Sequence, residues 1–277
     1  MAGGNDELTR AFEVELVPSP TRWCPQMNPY ETDKLLHEYL LFHYAKPEEI
    51  LPWPEGPRGA LDYAVRCVTE CVDAAAVPAG ARALDLGCAV GRSTFELARH
   101  CAEVIGIDYS RRFIETAEIL ASQGSYAYLR MDEGTLTTPL LARVPAGVDA
   151  GRVRFEHGDA HALRADLGAF DVVLGANLVD RLLNPMQFLE QLPRLVKPGG
   201  QLILTTPCTW LEDYTPAKNW LGGFHLNDYP RTTLDGLKTA LGRNFTLTVT
   251  KDLPFLIREH ARKYQWSVAM ATMWRRK

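Results

Sequence analysis

At 277 residues, 46% hydrophobic and 23% charged, the chain holds enough apolar material for one large α/β domain with additions. A net charge of −4 without a Lys/Arg stripe gives no electrostatic footprint for nucleic acid, and no apolar segment approaches membrane-spanning length. The six cysteines lack zinc or redox spacing and no leader pattern opens the chain, so reduced thiols in a cytoplasmic protein without a metal site are expected.

Residues 1–28 are polar, then proline-rich, and are expected to form a flexible arm before a domain spanning 29–277. Residues 29–80 are expected to be its N-terminal helices and 81–277 its α/β core. The run YETDKLLHEYLLFHYAK (30–46) crowds Tyr39, Phe42, His43 and Tyr44 into one helix, which must pack on more than one side. Pro47 disfavours helix at Lys46 and stops it. A second helix is predicted near residues 59–77, where Leu61, Ala64, Val68, Val72 and Ala76 recur at helical spacing.

From Arg82 the pattern alternates. Strands are predicted at 83–86, 103–108, 152–157, 170–176, 201–206, 245–252 and 264–274, with helices at 91–100, 111–122, 185–196 and 232–241. Such alternation implies a mainly parallel seven-stranded sheet with helices on both faces. An insertion at 124–151 is too long for an ordinary helix-to-strand connection. It reads as a surface elaboration or a substrate-side flap, with a small strand near 126–131.

The stretch ALDLGCAVGRST (83–94) is a strand, a glycine turn and a helix start, which together make a nucleotide-binding corner. It lacks the third glycine of a dinucleotide loop and the Lys-Ser/Thr pair of a P-loop. Gly87 and Gly91 let the backbone bend and approach a ligand, with Cys88 a small packing residue in the turn. Asp85 can accept from a ligand's ammonium or merely cap the loop. The next strand ends at Asp108-Tyr109, about twenty residues after the first acid, the separation that sets a carboxylate on a ribose.

This corner resembles the Asp-x-Gly-x-x-x-Gly loop of class I S-adenosylmethionine (SAM)-dependent methyltransferases, whose Rossmann-like fold implies that the last strand of the sheet is antiparallel. The resemblance implies that Asp159 and Ala160, in FEHGDA (155–160), meet the adenine, and that Asn177, after the fourth strand, lies beside the cofactor. LVKPGG (195–200) before QLILTTP is the turn such proteins place before their fifth strand.

Segments outside that core resemble a narrower family, the 4-mercaptohistidine (5-thiohistidine) N-methyltransferases of ovothiol biosynthesis. They are Tyr30-Glu31-Thr32 with YLLFHYA (39–45), ANLVDRL (176–182), PCTWLEDYTPAKNWLGG (207–223) and FLIREHARKYQWSVAMATMWRR (255–276). The resemblance implies methyl transfer from SAM to an imidazole nitrogen of 5-thiohistidine, giving ovothiol A and S-adenosylhomocysteine. It also implies 5-histidylcysteine sulfoxide synthase as a functional partner. Asp180 departs from the family pattern, where an uncharged residue is expected. A zwitterionic ring substrate calls for charged groups and aromatic walls. Candidates are Tyr30, Glu31, Tyr39, His43, Tyr44, Asn177, Arg181, Trp210, Glu259 and Tyr264, with Glu212 and Lys263 further possibilities and His43, His260 and Tyr30 the catalytic candidates. Methylation of another small molecule, or a catalytically silent SAM-binding subunit, are the alternative readings.

Overall fold

The computed structural model describes residues 28–277, so the expected arm lies outside the described residues. Helices α1 (Asp33–Tyr44), α2 (Pro47–Ile50) and α3 (Tyr63–Thr69) precede β1 (Arg82–Leu86), α4 (Arg92–Leu97), β2 (Glu103–Asp108) and α5 (Arg111–Gln123). The hairpin β3 (Ser125–Glu133) and β4 (Leu136–Arg143) leads to β5 (Val153–His157), β6 (Phe170–Ala176), α6 (Pro185–Leu195) and β7 (Val196–Thr206). The chain closes with β8 (Phe224–Leu226), β9 (Tyr229–Arg231), α7 (Thr233–Leu241), β10 (Phe245–His260) and β11 (Lys263–Arg276).

Seven strands form one sheet in the order β10-β11-β7-β6-β1-β2-β5. Its central strands are parallel, and β11 alone runs against its neighbours β7 and β10. This is the predicted Rossmann-like sheet. After β1 the chain builds outward through β2 to β5, then returns to the other side of β1 as β6. The crevice above the β1/β6 boundary is therefore the topological switch point, where such sheets receive ligands.

Local sequence accounts for the elements that frame this crevice. In β1 the residues from Ala83 to Leu86 are all buried, as a central parallel strand requires. Helix α5 starts where the Ser110 side chain accepts from Phe113 N–H and stops at Gly124, whose φ of 78° suits only glycine well. Phe113, Ile114, Ala117 and Leu120 form its buried stripe. Helix α1 is capped by Thr32, and its Leu36, Leu40 and Leu41 join a core shared with the glycine turn, α5 and the β3/β4 hairpin.

Several predicted elements differ from the structure, among them the strand expected at 201–206, which already begins at Val196 within the segment read as a turn. The helix expected over 59–77 is α only from Tyr63 to Thr69, because Asp62 sits in the left-handed region (φ 55°) and single 3-10 turns flank the rest. The last two strands are longer than predicted. β10 runs on through Pro254, which an edge strand tolerates because it can leave one side of its ladder unpaired. The insertion forms two strands rather than one, and its hairpin packs on α1, α5 and β10. The short β8/β9 hairpin had no counterpart in the predicted elements.

β11 pairs with β7 only over residues 270–275, Met270 lying opposite Thr206 at the carboxyl end of β7. From Ala269 back to Lys263, β11 pairs with β10 alone, so the hairpin runs on past the carboxyl edge of the sheet as a two-stranded wall backed by α1 and β3. Arg258, almost wholly buried in that wall, donates to the carbonyls of Glu49 and Ile50 and, at 2.9 Å, to Asp132 of β3. One guanidinium thus ties together the helical N-terminus, the inserted hairpin and the terminal hairpin. Among the described residues no helix is long and apolar enough to cross a membrane.

Candidate functional site

The glycine turn is stitched to β2: the N–H groups of Gly87 and Cys88 both donate to the Ile107 carbonyl, at 2.8 and 3.2 Å. Gly87 (φ 71°) and Gly91 (φ 84°) are left-handed. A Cβ on Gly91 would lie 2.4 Å from Cζ of Phe155, so this glycine answers to packing beneath the turn as well as to any ligand above it. A Cβ on Gly87 would press on Leu178 at 3.2 Å, across the β1/β6 boundary. Cys88 is buried and its thiol is pushed well up by that burial, which suits the expected packing role and leaves only its backbone to meet a ligand.

Asp85 lies fully buried under the turn. Its Oδ2 accepts from the hydroxyls of Ser93 and Thr94, each at 2.7 Å, while Oδ1 has no partner among the described residues. Burial pushes its carboxyl up to about 6 against the pull of those two hydroxyls. One oxygen therefore performs the capping role and the other remains an orphan acceptor, a costly arrangement in a low-dielectric interior.

Asp108 closes the turn from the next strand: Oδ2 accepts from Ala89 N–H and Oδ1 from Ser110 N–H, both at 2.9 Å. Burial raises its carboxyl, opposed by those amides and by that of Tyr109. The Tyr109 ring is 62% exposed and stacks on His157, 6.1 Å between centroids. Asp159 Oδ1 accepts from both the N–H and the Nδ1 of His161, whose Nε2 accepts from Asn184 N–H at 3.2 Å. That chain places the imidazole proton on Nδ1 and, among the described residues, leaves Asp159 Oδ2 without a protein donor. Ala160 is buried beside it. Asn177 (φ 51°) ends β6, and its Oδ1 accepts from the Tyr63 hydroxyl at 2.7 Å. These acids stand at the carboxyl ends of β1, β2 and β5, around one crevice.

The N-terminal candidates divide. Tyr30 and Tyr39 pack edge to face, 5.9 Å between centroids, and Phe113 of α5 backs both rings. Tyr30 neighbours both Tyr39 and Tyr214, and the Arg181 charge is felt by Tyr30 and Tyr39 and the Asp108 charge by Tyr39. The aromatic cluster therefore lies between Asp108 and Arg181. Burial pushes the Tyr30 phenol up to about 12 and Tyr39 well above the usual range, so both stay protonated donors.

Other candidates are committed elsewhere. Glu31 receives the N–H groups of Arg111 and Arg112 and so caps α5 instead of facing the crevice. The Tyr44 hydroxyl donates to the Val90 carbonyl at 2.7 Å, pinning α1 to the glycine turn. His43 lies against Tyr39, Phe42 and Tyr44 with an unpartnered Nδ1, and burial brings it down to about 3. Such an imidazole is neutral at working pH and a weak base. His260 sits in the β10/β11 turn, its Nδ1 accepting from Arg262 N–H at 3.3 Å, and is not brought to His43. Glu259 is held by Lys263 at 2.8 Å and by Gln265, and Tyr264 donates to the Ala261 carbonyl. Trp210 turns toward α7, donating to Thr233 at 2.9 Å and stacking on Trp220. Tyr214 is the residue that sequence reasoning missed. It was named only within PCTWLEDYTPAKNWLGG, and no periodicity marks one tyrosine in an irregular loop.

Residues 84–204 match the family model described as "Methyltransferase domain". This segment is similar to methyltransferase domains, and it carries the β1, β2, β5, β6 and β7 strands of the Rossmann-like sheet. Over 127 residues, 46% of this chain and 41% of the relative, it is 32% identical to a ubiquinone biosynthesis O-methyltransferase of Cereibacter sphaeroides. The corresponding enzyme of Maricaulis maris is 34% identical over 128 residues, again 46% of this chain and 41% of the relative. The match thus spans about two fifths of the length of these relatives. A solved SAM-dependent methyltransferase of Methanosarcina mazei superposes with a TM-score of 0.49 at 19% identity, covering 73% of this chain and 94% of that one.

The cofactor of the domain is SAM, and the residues present suit it. The orphan Oδ1 of Asp85 would accept from the cofactor's ammonium, directly or through water. Asp108 retains lone pairs for ribose hydroxyls, and Asp159 Oδ2 is free to accept from an adenine amine. When bound, SAM supplies a methyl group already activated on a sulfonium. Among the described residues no cluster of His, Cys, Asp or Glu could hold a metal.

Proposed function

We propose that this chain is an N-methyltransferase that passes the methyl of SAM to an imidazole nitrogen of 5-thiohistidine, forming ovothiol A. The supporting observation is where three of the four segments of resemblance outside the glycine corner lie. α1, the loop after β7 and the terminal hairpin all border the carboxyl edge of the sheet, with Tyr30 beside Tyr214 and α1 packed on β10. A crevice walled by Tyr30, Tyr39 and Tyr214 suits a flat ring, since aromatic faces take a ring edge-on or offset.

In the reaction a C–N bond forms as the methyl–sulfur bond breaks, and the sulfur keeps the electron pair as a thioether. The protein's task is alignment, and proximity with orientation supplies roughly 7–11 kcal/mol of such a barrier. Any proton on the attacking nitrogen leaves to water or is avoided by the tautomer. The catalytic roles first given to Tyr30 and His43 become roles of orientation, because a phenol near 12 and an imidazole near 3 are poor proton acceptors at neutral pH. A sulfoxide synthase that makes 5-thiohistidine's precursor is the functional partner in this reading, and the cytoplasm its setting.

O-methylation is the second reading, favoured by the identity to the ubiquinone biosynthesis O-methyltransferases. Purified protein incubated with SAM and 5-thiohistidine, beside a histidine control, should yield a product heavier by one methyl, placed on nitrogen by NMR. No product from 5-thiohistidine overturns the specific reading. Calorimetry with S-adenosylhomocysteine tests the cofactor site separately, and folded protein that fails to bind it overturns both readings.

A further inference from the structure

Arg181 presents one edge of its guanidinium to the protein and leaves the other unused. Nη1 donates to the Asp180 carbonyl at 3.0 Å, to Asp180 Oδ2 at 3.1 Å and to the Thr209 carbonyl at 3.1 Å. The guanidinium carbon lies 4.8 Å above the Tyr214 ring centroid. Among the described residues, Nε and Nη2 make no hydrogen bond, and the side chain is 27% exposed. Its charge reaches Tyr30 and Tyr39. Asp180 is wholly buried, and its Oδ2 also accepts from Thr209 N–H at 3.1 Å. The carboxylate thus fixes the guanidinium from behind and clamps it to the loop that carries Tyr214.

We propose that the free Nε/Nη2 edge of Arg181 receives a carboxylate of the methyl acceptor, and that Asp180 is the positioning residue that aims it. The substrate class is then a ring-bearing carboxylic acid, an amino acid or its relative, with the ring against Tyr30, Tyr39 and Tyr214. This rests on the methyl-transfer reading above. The geometry favours a carboxylate, whose two coplanar oxygens match Nε–H and Nη2–H. A phosphate dianion would meet the buried Asp180 charge behind a single guanidinium, whereas a monoanion leaves the trio at one net negative charge. Asp180, the residue that departs from the family pattern, then has a role: an uncharged side chain there would leave Arg181 held only by the Asp180 and Thr209 carbonyls and the Tyr214 ring, without its charged partner.

Two measurements test this on the protein loaded with S-adenosylhomocysteine or SAM. In the first, millimolar imidazole-4-acetate should shift the NMR signal of Arg181 Nε–H, and imidazole alone should not. In the second, methyl transfer to 5-thiohistidine should show a KM about 10- to 100-fold higher in Arg181→Met, the cost of losing hydrogen bonds to a charged group. Asp180→Asn should raise KM about tenfold while kcat and the affinity for S-adenosylhomocysteine hold, since its effect passes through Arg181. A silent Arg181 signal in the presence of imidazole-4-acetate overturns the proposal, as does an unchanged KM in Arg181→Met. If 5-thiohistidine is not methylated but the signal still shifts, the substrate reading fails and the carboxylate site stands. A decarboxylated analogue turned over as efficiently as 5-thiohistidine removes the site while sparing the reading.

Discussion

The cofactor side and the cap side of the crevice are built by different means. On the cofactor side each acid leaves a strand end and is fixed by amides or hydroxyls from the adjoining turn, as in Asp108 with Ala89 and Ser110. On the cap side three segments distant in sequence meet: α1, the β3/β4 hairpin and the outer half of β10/β11, joined through Arg258 and the aromatic cluster. Local order holds the first and long-range contact the second. A change on the cofactor side should therefore be felt at the turn, and a change on the cap side in how the segments stay docked.

Gly91→Ala should give the largest effect, because it forces a side chain into a left-handed backbone and drives Cβ toward Phe155. A loss of about 3 kcal/mol or more, read by denaturant unfolding, is expected from overpacking and strain together. A melt like that of the wild type would mean that Phe155 yields freely and the turn is softer than its packing indicates. Arg258→Ala comes next. It strips two carbonyls and Asp132 of a buried partner, with an expected loss of about 2–4 kcal/mol. Limited proteolysis should then cut the β3/β4 hairpin first while S-adenosylhomocysteine still binds. Equal loss of cofactor binding would erase the contrast between the two sides.

Asp108→Ala should weaken S-adenosylhomocysteine binding about a hundredfold in calorimetry, near the value of hydrogen bonds to a charged acceptor. Unchanged affinity would show that the ribose is held elsewhere. His43→Phe should have the smallest effect at neutral pH. Burial lowers the His43 pKa to about 3, so between the unfolded value near 6.5 and 3 the unfolded chain binds the extra proton. Stability from this group is present above 6.5 and falls by about 1.4 kcal/mol per pH unit as acid is added through that window. The stability curve of the variant should be flatter there. Parallel curves for the two proteins would mean that His43 reaches solvent.

What the sequence made legible follows the same division. The mainly parallel seven-stranded sheet and the glycine turn could be read because local pattern and fixed spacing carry them. Glu31 was misread because the helix it caps begins eighty residues later, and a carboxylate looks alike whether it faces a ligand or the N–H groups of Arg111 and Arg112. Tyr44, a substrate candidate by sequence, parts from Tyr39 only once Val90 is found to take its hydroxyl. Tyr214 and Arg258 gain their meaning from partners beyond any local window. Pro254 concealed the second half of β10, since a proline punctuates a sequence even where an edge strand can carry it.

The two strands of the terminal hairpin are continuous from the core of the sheet to the wall of the crevice. Inside, residues 270–275 of β11 are held in step with β7, while residues 263–269 answer only to β10. Side chains alternate faces along a strand, so deleting one residue near Ala269 would turn the whole outer half over and exchange its two surfaces. Point substitutions can alter the wall one side chain at a time, but changes in its length must come in pairs if the same face is to keep looking inward.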